Sequence, residues 1–325
     1  MTFISIAAWI LLALAIGAVL VAAYFVVLTR RIAAEAERMV PATGRFVDVD
    51  GNRIHYVEQG EGRPILFVHG LGAQLHQFRH PLFGKLDGFR LIAFDRPGSG
   101  YSTHSRGWTA RLTEQARVTR RLIEVLGLEK PLIVGHSLGG LIALTMAMEF
   151  PGAISGLVLL SPLTRYQDTV PPEFRTLYIP SPLRRWLRSQ TVAVPAALKY
   201  APQTLAFVFS PQEPQEDYPT EGGGWLGLRP GHVYATVSDF TAIEHDLPAL
   251  QERYGEIAVP AGILFGNQDR VLDYQRHGLG MKGAIPGLEI EIVEGIGHMP
   301  HYAASDQAAA FIRRIAERAF AKAEA

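Results

Sequence analysis

Ser137 has the sequence setting of a catalytic nucleophile. It stands in the run GHSLGG (residues 135–140), directly after the strand-like run PLIV (131–134) and before a helical pattern. A tight turn from a strand into a helix needs small residues on either side of its serine, and it presents the hydroxyl at the positive end of the helix. The pattern predicts that Ser137 attacks a substrate in an acyl-transfer reaction.

Asp269 and His298 have the chain order and setting of the acid and the base that such a serine needs. A serine hydroxyl is a weak nucleophile until a base takes its proton, and the base needs an acid to orient it. After this type of turn the acid comes first along the chain and the histidine second. Asp269 follows the strand-like run 261–265, and His298 follows the run 289–293, so both fall in loops at strand ends. We therefore predict Ser137, Asp269 and His298 as the catalytic residues.

Two neighbouring side chains stay open as alternatives. Asp273 could replace Asp269 as the acid, although it lies four residues further from the end of its strand. His301 could replace His298 as the base, but it lies about one helical turn further along and is expected to open the last helix. The alternative for His298 itself is a place in a surface loop without a catalytic role.

The turn HGLG (residues 69–72) is the candidate for stabilising the negative oxygen of an acyl-transfer intermediate. Preorganised N–H donors must surround that oxygen. We predict an oxyanion hole made of the backbone N–H groups of Leu71 and Leu138. The ring of His69 is expected to brace the turn through a hydrogen bond. Asp95, in the later turn DRPGSGYS, is expected to be a structural cap or an ion-pair partner.

These residues fall between apolar runs and helical patterns that alternate along the chain. Residues 45–49 and 53–58 flank an Asp-Gly pair, which is a strong hairpin signal. Further apolar runs cover 64–68, 90–94, 131–135, 156–160, 261–265 and 289–293, and helical patterns cover 110–127, 138–149, 274–284 and 303–322. This alternation predicts an α/β fold whose sheet is mostly parallel, is covered by helices on both faces and has an antiparallel start.

One stretch interrupts the alternation. Residues 162–240 are rich in proline, glycine and aromatic residues and show helix fragments but no clear strand. We predict that they form a helical cap, inserted after the sixth strand, over the carboxyl edge of the sheet. A basic segment at 175–199 and an acidic segment at 213–221 lie inside it, and they could pair with each other or contact lipid headgroups. The predicted divisions are an anchor, a linker, a first core part, the cap and a second core part, at residues 1–29, 30–44, 45–161, 162–240 and 241–325.

The N-terminal segment is long and apolar enough to cross a membrane. Residues 1–29 contain no Asp, Glu, Lys or Arg, and 25 of these 29 residues are apolar. A helix needs about 20 such residues to cross the hydrocarbon core. A cleaved signal peptide would have basic residues before a shorter apolar run. We therefore predict a retained single-pass anchor, with a cleaved signal or a buried core helix as alternatives. Arg30 and Arg31 follow the run, which favours a catalytic domain on the cytoplasmic side.

Composition excludes several other classes of protein. The chain has 325 residues, with 31 basic and 31 acidic side chains and no cysteine. Balanced charge gives no electrostatic case for binding nucleic acid. A chain without cysteine has no disulfide framework, no thiolate metal site and no cysteine nucleophile.

Taken together, the motifs resemble those of the α/β-hydrolase superfamily. Five of its features appear in order within residues 45–322, namely HG at 69–70, DRPGSGYS at 95–102, GHSLGG at 135–140, GNQD at 266–269 and GHMPH at 297–301. The match is to serine members, because the dehalogenases and epoxide hydrolases of this superfamily have Asp at the position of Ser137. Gly72 departs from the proline that several subfamilies have there. The resemblance implies a serine esterase that uses no metal and no organic cofactor.

The anchor and the cap indicate a class of substrate. The run SPLRRWLR (residues 181–188) mixes basic and apolar residues as a membrane-surface helix does, with a solvated cap helix as the alternative. The combination resembles membrane-tethered monoacylglycerol lipases and related carboxylesterases, which implies a lipophilic ester as the substrate. Serine-type C–C bond hydrolases and cofactor-free haloperoxidases that act as perhydrolases share the triad and stay open. So does a different class, a tethered binding protein with a degenerate site.

Overall fold

The computed structural model describes residues 3–324 apart from 168 and 170. Small parts of the predicted anchor, cap and second core part, namely residues 1, 2, 168, 170 and 325, therefore lie outside the described residues. The strands are β1 (Arg45–Val49), β2 (Asn52–Gln59), β3 (Arg63–Val68), β4 (Phe89–Phe94), β5 (Leu132–His136), β6 (Gly156–Leu160), β7 (Ala261–Gly266) and β8 (Glu289–Val293). The helices are α1 (Phe3–Met39), α2 (His76–Leu82), α3 (Leu112–Val125), α4 (Leu138–Glu149), α5 (Pro182–Gln190), α6 (Ala193–Phe209), α7 (Pro230–Leu250), α8 (Tyr274–His277), α9 (Pro300–Ala303) and α10 (Ser305–Glu324).

The strands form one eight-stranded sheet in the order β1-β2-β4-β3-β5-β6-β7-β8. The pairs β1–β2 and β2–β4 are antiparallel, and every later pair is parallel. Because the parallel strands all end at one edge of the sheet, the loops that follow β3, β5, β7 and β8 gather at that edge. The predicted α/β class with a mostly parallel sheet and an antiparallel start is confirmed.

Two apolar layers hold the helices on the sheet. On one face, buried side chains of α3, α4 and α7 pack together, with Leu122, Leu144 and Leu247 as examples. On the other face, α2 and α10 contribute buried Phe78 and Phe311. Both faces of the sheet are therefore covered, as the apolar strand runs predict.

The predicted helices are confirmed except for one. The predicted helix 138–149 is α4 itself, and the patterns at 110–127 and 303–322 correspond to α3 and α10. The prediction of a helix over 274–284 is wrong, because α8 ends at His277 and only a 3-10 turn, Leu279–Met281, follows. Glycines at 278, 280 and 283 disfavour a continuous helix, and Gly283 has φ +81°. The pattern also missed α2.

The predicted cap lies between β6 and β7, which confirms an insertion after the sixth strand. It contains α5 and α6 and leads into α7, which runs without a break from Pro230 to Leu250. The division between cap and core at residue 240 therefore falls inside a continuous helix, and it stays a prediction.

Helix α1 is a single helix that includes both the apolar segment and the first two thirds of the predicted linker, up to Met39. Its stretch Ala7–Met39 is long and apolar enough to cross a membrane, with a mean hydropathy of 2.8 in its most apolar part, where no residue is buried. After residue 28 the helix begins to contact the body, since Thr29 and Ala36 are both buried completely.

Candidate active site

Ser137 lies in the tight turn that joins β5 to α4. Its backbone has φ 52° and ψ −117°, a conformation that residues with a side chain rarely adopt. This strain is the mark of a turn that lifts a serine out of the sheet. Among the described residues, no group forms a hydrogen bond with the Ser137 hydroxyl, so its Oγ is free to meet a substrate.

Close packing of the backbone explains the glycines around this serine. A Cβ atom on Gly139 would lie only 2.0 Å from the carbonyl oxygen of Val68 and 2.6 Å from that of His69. A Cβ atom on Gly70 would lie 3.3 Å from the Cβ of Ser137. The turn after β3 therefore rests directly against the turn that holds the serine.

His298 and Asp269 form a buried pair. The Nδ1 of His298 lies 2.7 Å from Oδ2 of Asp269, with side-chain exposures of 5% and 0%. The other carboxylate oxygen of Asp269 accepts hydrogen bonds from the backbone amides of Val271 (2.7 Å) and Leu272 (2.9 Å). The carboxylate is thus fixed by its own loop, and it orients the imidazole. The Nε2 of His298 has no hydrogen-bond partner among the described residues.

The two alternative residues occupy other positions. Asp273 caps the start of α8, since its Oδ1 accepts from the backbone amide of Gln275 (2.9 Å). His301 lies in the short helix α9, so the expectation that it opens the last helix is wrong, because α10 begins at Ser305. Burial, followed by the charge of His298, lowers the pKa of His301 to about 3. The structure pairs Asp269, not Asp273, with His298.

His136 connects the loop of His298 to the serine turn. Its ring centroid lies 4.7 Å from that of His298, and its Nε2–H donates to the backbone carbonyl of His298 over 2.8 Å. Because His136 immediately precedes Ser137, this contact brings the three predicted catalytic side chains to one edge of the sheet. No hydrogen bond joins Ser137 to His298 in the described residues, and this bond is often long in enzymes without substrate.

Gln77 in α2 connects the same histidine to the turn after β3. Its Oε1 accepts from the backbone amide of Gly70 (3.1 Å), and its Nε2 donates to Nδ1 of His136 (3.0 Å). Burial, followed by the charges of His301 and His298, lowers the pKa of His136 well below its ordinary value. The sequence pattern predicts no role for either residue. His136 lay inside the GHSLGG motif, but nothing in the sequence marked Gln77.

Arg96 holds the turn after β3 from its other side. This fully buried guanidinium donates to the carbonyls of His69 (3.1 Å) and Gly70 (3.0 Å), and it forms a buried ion pair with Asp239 of α7 (2.6 Å). The C=O and N–H of a trans peptide point in opposite directions. The carbonyl of Gly70 and the N–H of Leu71 belong to the same peptide. Because Arg96 holds that carbonyl, the N–H of Leu71 points away from the guanidinium. These contacts of Arg96 could not be predicted from the sequence, because 143 residues separate Arg96 from Asp239.

The residues predicted to brace these turns do so, which confirms their structural roles. His69 Nδ1–H donates to the carbonyl of Gly70 (2.9 Å), and its Nε2 accepts from the amide of Arg96 (2.9 Å). Burial, followed by the charge of Arg96, lowers the pKa of His69 well below its ordinary value. Asp95 accepts from the amides of Leu75 (2.9 Å) and Tyr101 (2.8 Å), as a structural cap does.

The backbone N–H groups of Leu71 and Leu138 lie near the serine, and neither forms a hydrogen bond within the described part of the chain. Leu138 is the first residue of α4, where amides lack partners within the helix. The same part of the chain contains no group of three or more His, Asp or Glu that could hold a metal ion.

The comparisons with known proteins agree with this architecture. The family model of the alpha/beta hydrolase fold matches residues 63–304. The dihydrolipoyllysine-residue acetyltransferase component of the acetoin cleaving system of Cupriavidus necator is 31% identical over 153 residues, which are 47% of this chain and 40% of that protein. A 2-hydroxy-6-oxononadienedioate/2-hydroxy-6-oxononatrienedioate hydrolase of Paraburkholderia phymatum is 27% identical over 79% of this chain and 90% of that protein. The chain spans less than half the length of the first curated relatives it matches.

Among solved structures, that of a membrane phospholipase A described as a bacterial virulence factor is 23% identical, with a TM-score of 0.69 over 98% of this chain and 99% of that one. At this identity the likeness shows the fold. The family model covers β3 to α9 and therefore includes the serine turn, the acid and histidine loops and the cap. The chain belongs to the alpha/beta hydrolase fold family.

Proposed function

We propose that this protein is a serine hydrolase that cleaves carboxylic esters, with Ser137 as nucleophile, His298 as general base and Asp269 as the acid that orients it. One observation carries the proposal. A strained, partly exposed serine with a free hydroxyl lies at the same sheet edge as a buried His–Asp pair whose second ring nitrogen is also free. That is the arrangement that activated serine nucleophiles need.

In the first step, Oγ of Ser137 bonds to the carbonyl carbon of the ester while Nε2 of His298 takes the hydroxyl proton. The backbone N–H groups of Leu71 and Leu138 would stabilise the negative oxygen that forms. Three features support this assignment for Leu71: its amide is free, Gly70 contacts Ser137, and Arg96 fixes the direction of the Gly70–Leu71 peptide.

In the second step, the bond from the carbonyl carbon to the alcohol oxygen breaks, and His298 returns its proton to that oxygen. A water molecule then attacks the acyl-enzyme, again with His298 as base, and the acid leaves as Ser137 regains its proton. Asp269 stays ionised and keeps Nδ1 of His298 protonated throughout. No step needs a metal or an organic cofactor.

The substrate class that we propose is a lipophilic ester such as a monoacylglycerol, reached by a chain anchored in a membrane through α1. Support comes from the apolar stretch of α1, whose most apolar part has no buried residue, and from the likeness in fold to a membrane phospholipase A. Arg30 and Arg31 directly follow the apolar run, and this favours a catalytic domain on the cytoplasmic side.

A fluorophosphonate probe tests the nucleophile. We expect the probe to label the full-length protein in detergent, and Ser137→Ala to abolish labelling and ester hydrolysis. His245→Gln is the control, because it changes an exposed histidine outside the candidate active site. Folded wild-type protein that resists labelling would refute the serine hydrolase proposal.

A second candidate is the hydrolysis of C–C bonds, because the Paraburkholderia relative with that type of name aligns over most of both chains. A series of p-nitrophenyl esters of increasing acyl length separates the two functions. The lipase proposal predicts a maximum at long chains, whereas labelling without turnover of any ester would favour the C–C hydrolase.

Alkaline carbonate washing of membranes tests the anchor. We expect full-length protein to remain in the pellet. Protein in the supernatant, or a mature N-terminus beyond residue 20, would contradict a retained anchor.

A further inference from the structure

The corner between α5 and α6 lies next to the point where the apolar part of α1 ends. The uncharged run of α1 stops at Leu28, and the next residue, Thr29, is completely buried. Its Oγ1 donates to the backbone carbonyl of Thr191, which lies in that corner (2.5 Å). If α1 crosses a membrane, this hydrogen bond puts the corner at the level where the bilayer ends.

Several further contacts fix the direction of α1 relative to the cap. Ala36 packs against Val194 of α6 and Leu228 in a small apolar cluster. Further along the helix, Glu37 forms an ion pair with Arg229 (2.7 Å). Beyond the end of α1, the hydroxyl of Tyr101 donates to the carbonyl of Val40 (2.6 Å). The cap is therefore attached rigidly to the exit of the anchor.

The surface of this corner, residues 183–192, is apolar and basic, and we call it the cap corner. Its large exposed apolar side chains are Leu183 (64% exposed), Trp186 (53%), Leu187 (46%) and Val192 (44%). Arg184 and Arg188 lie one turn apart in α5, and neither forms an ion pair within the described residues. Leucine and tryptophan beside unpaired arginines are the composition of a helix that lies in a membrane interface.

We propose that the cap corner is embedded in the headgroup region of a bilayer that contains anionic lipids, beside the exit of α1. The proposal rests on the membrane anchor proposed above. We choose the bilayer as the partner of the cap corner because α1 is covalently continuous with the body. If α1 spans the membrane, the membrane surface lies at Thr29, next to the cap corner. The arginines then meet lipid phosphates, and the apolar side chains lie below them.

This contact also connects the membrane to the candidate active site. Arg185 of α5 lies over the ring of Tyr234 in α7, 5.8 Å from its centroid. Helix α7 also contains Asp239, which forms the ion pair with Arg96 at the turn beside Ser137. Helix α7 therefore links the cap corner to the turn beside Ser137.

Because the chain has no cysteine, single cysteines can carry a fluorophore at chosen positions of the full-length protein. We would label Trp186→Cys and Val192→Cys in the cap corner, Leu14→Cys in α1 and Val125→Cys as a control. Val125 is also an exposed apolar residue (41%), but it ends α3 near the amino ends of the strands. Each protein is reconstituted in vesicles of phosphatidylcholine and phosphatidylglycerol, at roughly two to one. One set of vesicles contains a lipid with a nitroxide quencher near its headgroup, for the cap corner, and a second set contains a lipid with the nitroxide deep in its acyl chain, at the level expected for Leu14.

We expect quenching at residues 14, 186 and 192 and none at 125. If residue 14 is quenched but residues 186 and 192 are no more quenched than residue 125, the anchor is supported and this proposal is overturned. No quenching at 14 would remove the anchor and this proposal together. A probe at 186 that is shielded from water but not quenched by lipid would indicate a second copy of the chain on the cap corner, which also overturns it.

Charge reversal tests the anionic lipid. Arg184→Glu and Arg188→Glu, made in the Val192→Cys protein, should each weaken insertion of the cap corner roughly fivefold in the mixed vesicles. The effect should be much smaller in pure phosphatidylcholine. Lys130→Glu is the matched control, because Lys130 is an exposed residue at the amino ends of the strands. This variant should not change the insertion of the cap corner. Equal insertion of the arginine variants and the control in mixed vesicles would contradict the role of anionic headgroups.

Discussion

Two buried histidine–aspartate pairs in the described part of the chain have nearly the same geometry. Nδ1 of His55 lies 2.7 Å from Oδ2 of Asp95, and Nδ1 of His298 lies 2.7 Å from Oδ2 of Asp269. Both pairs are buried, with side-chain exposures of 0% and 0% for the first and 5% and 0% for the second. Neither the distance nor the burial distinguishes a structural pair from a catalytic one.

The second ring nitrogen and the nearby serine make the difference. Nε2–H of His55 donates a hydrogen bond to the carbonyl of Thr43, whereas Nε2 of His298 has no hydrogen-bond partner among the described residues. Ser102, beside the first pair, donates to the carbonyl of Asp95 (2.7 Å) and accepts from the amide of His55 (2.9 Å). Proton transfer needs an unused nitrogen and an unused hydroxyl, and only the second pair has both beside it.

The largest contrast is expected from removing each carboxylate charge. Asp269→Asn should lower kcat about 10⁴-fold with little change in stability, because the histidine loses the partner that fixes its protonated nitrogen. Asp95→Asn should leave kcat per folded molecule unchanged. It should cost about 3 kcal/mol in the free energy of unfolding, since buried donors lose an acceptor. Ester turnover, corrected for the folded fraction in urea titrations, measures both effects. Similar losses of kcat in the two variants would contradict the distinction.

Arg96 joins the structural pair to the candidate oxyanion turn, and its substitution tests that link. Arg96→Lys keeps a positive charge but cannot hold both carbonyls and Asp239, so the Leu71 amide should lose its direction. We expect kcat to fall about 10²-fold, as for the loss of one oxyanion donor, with KM nearly unchanged.

The matched control for that substitution is Arg111→Lys. Arg111 also forms an ion pair with α7, through Asp246, but it does not touch the turn. It should leave kcat unchanged. An equal decrease in kcat for both variants would show that attachment of α7, not direction of the Leu71 amide, is the property that Arg96 supplies.

Within the described residues, His301 is a buried histidine without a hydrogen-bond partner, unlike the histidines of the two pairs. It therefore tests how an unpaired buried imidazole changes the stability of the protein with pH. Neither of its ring nitrogens has a partner in the described residues, and its pKa is lowered to about 3 by burial and then by His298. Below pH 6.5 the unfolded chain binds a proton here that the folded chain does not, so stability falls as the pH falls. His301→Phe should remove this loss, about 2 kcal/mol at pH 5 and close to zero at pH 7.5.

Urea unfolding in detergent at both pH values measures that difference. His245→Gln is the control, since it removes an exposed imidazole and should keep the wild-type pH dependence. An unchanged pH dependence in His301→Phe would show that this histidine does not stay neutral in the folded protein.

The sequence was sufficient for features that depend on local pattern. The serine turn follows from small residues at fixed spacing after an apolar strand, and the loops of Asp269 and His298 follow from strand ends. Arg96, Gln77 and Asp239 could not be predicted, because their roles depend on contacts between elements far apart in the chain. The order of residues along the chain selected Asp269 and His298, but nothing in the sequence showed that His55 pairs with Asp95, 40 residues away.

Of the test substitutions, Ser102→Ala is expected to have the smallest effect. It tests directly whether the His55–Asp95 pair or the His298–Asp269 pair serves the nucleophile. Ser102 loses two buried hydrogen bonds, so the free energy of unfolding should fall by about 1–2 kcal/mol. Fluorophosphonate labelling and kcat of the folded protein should stay at wild-type values, whereas Ser137→Ala should lose both. Labelling that remains in Ser137→Ala and disappears in Ser102→Ala would reverse the assignment of the two pairs. Because each serine lies beside a buried His–Asp pair, that outcome would mean that a free ring nitrogen is not what selects the nucleophile.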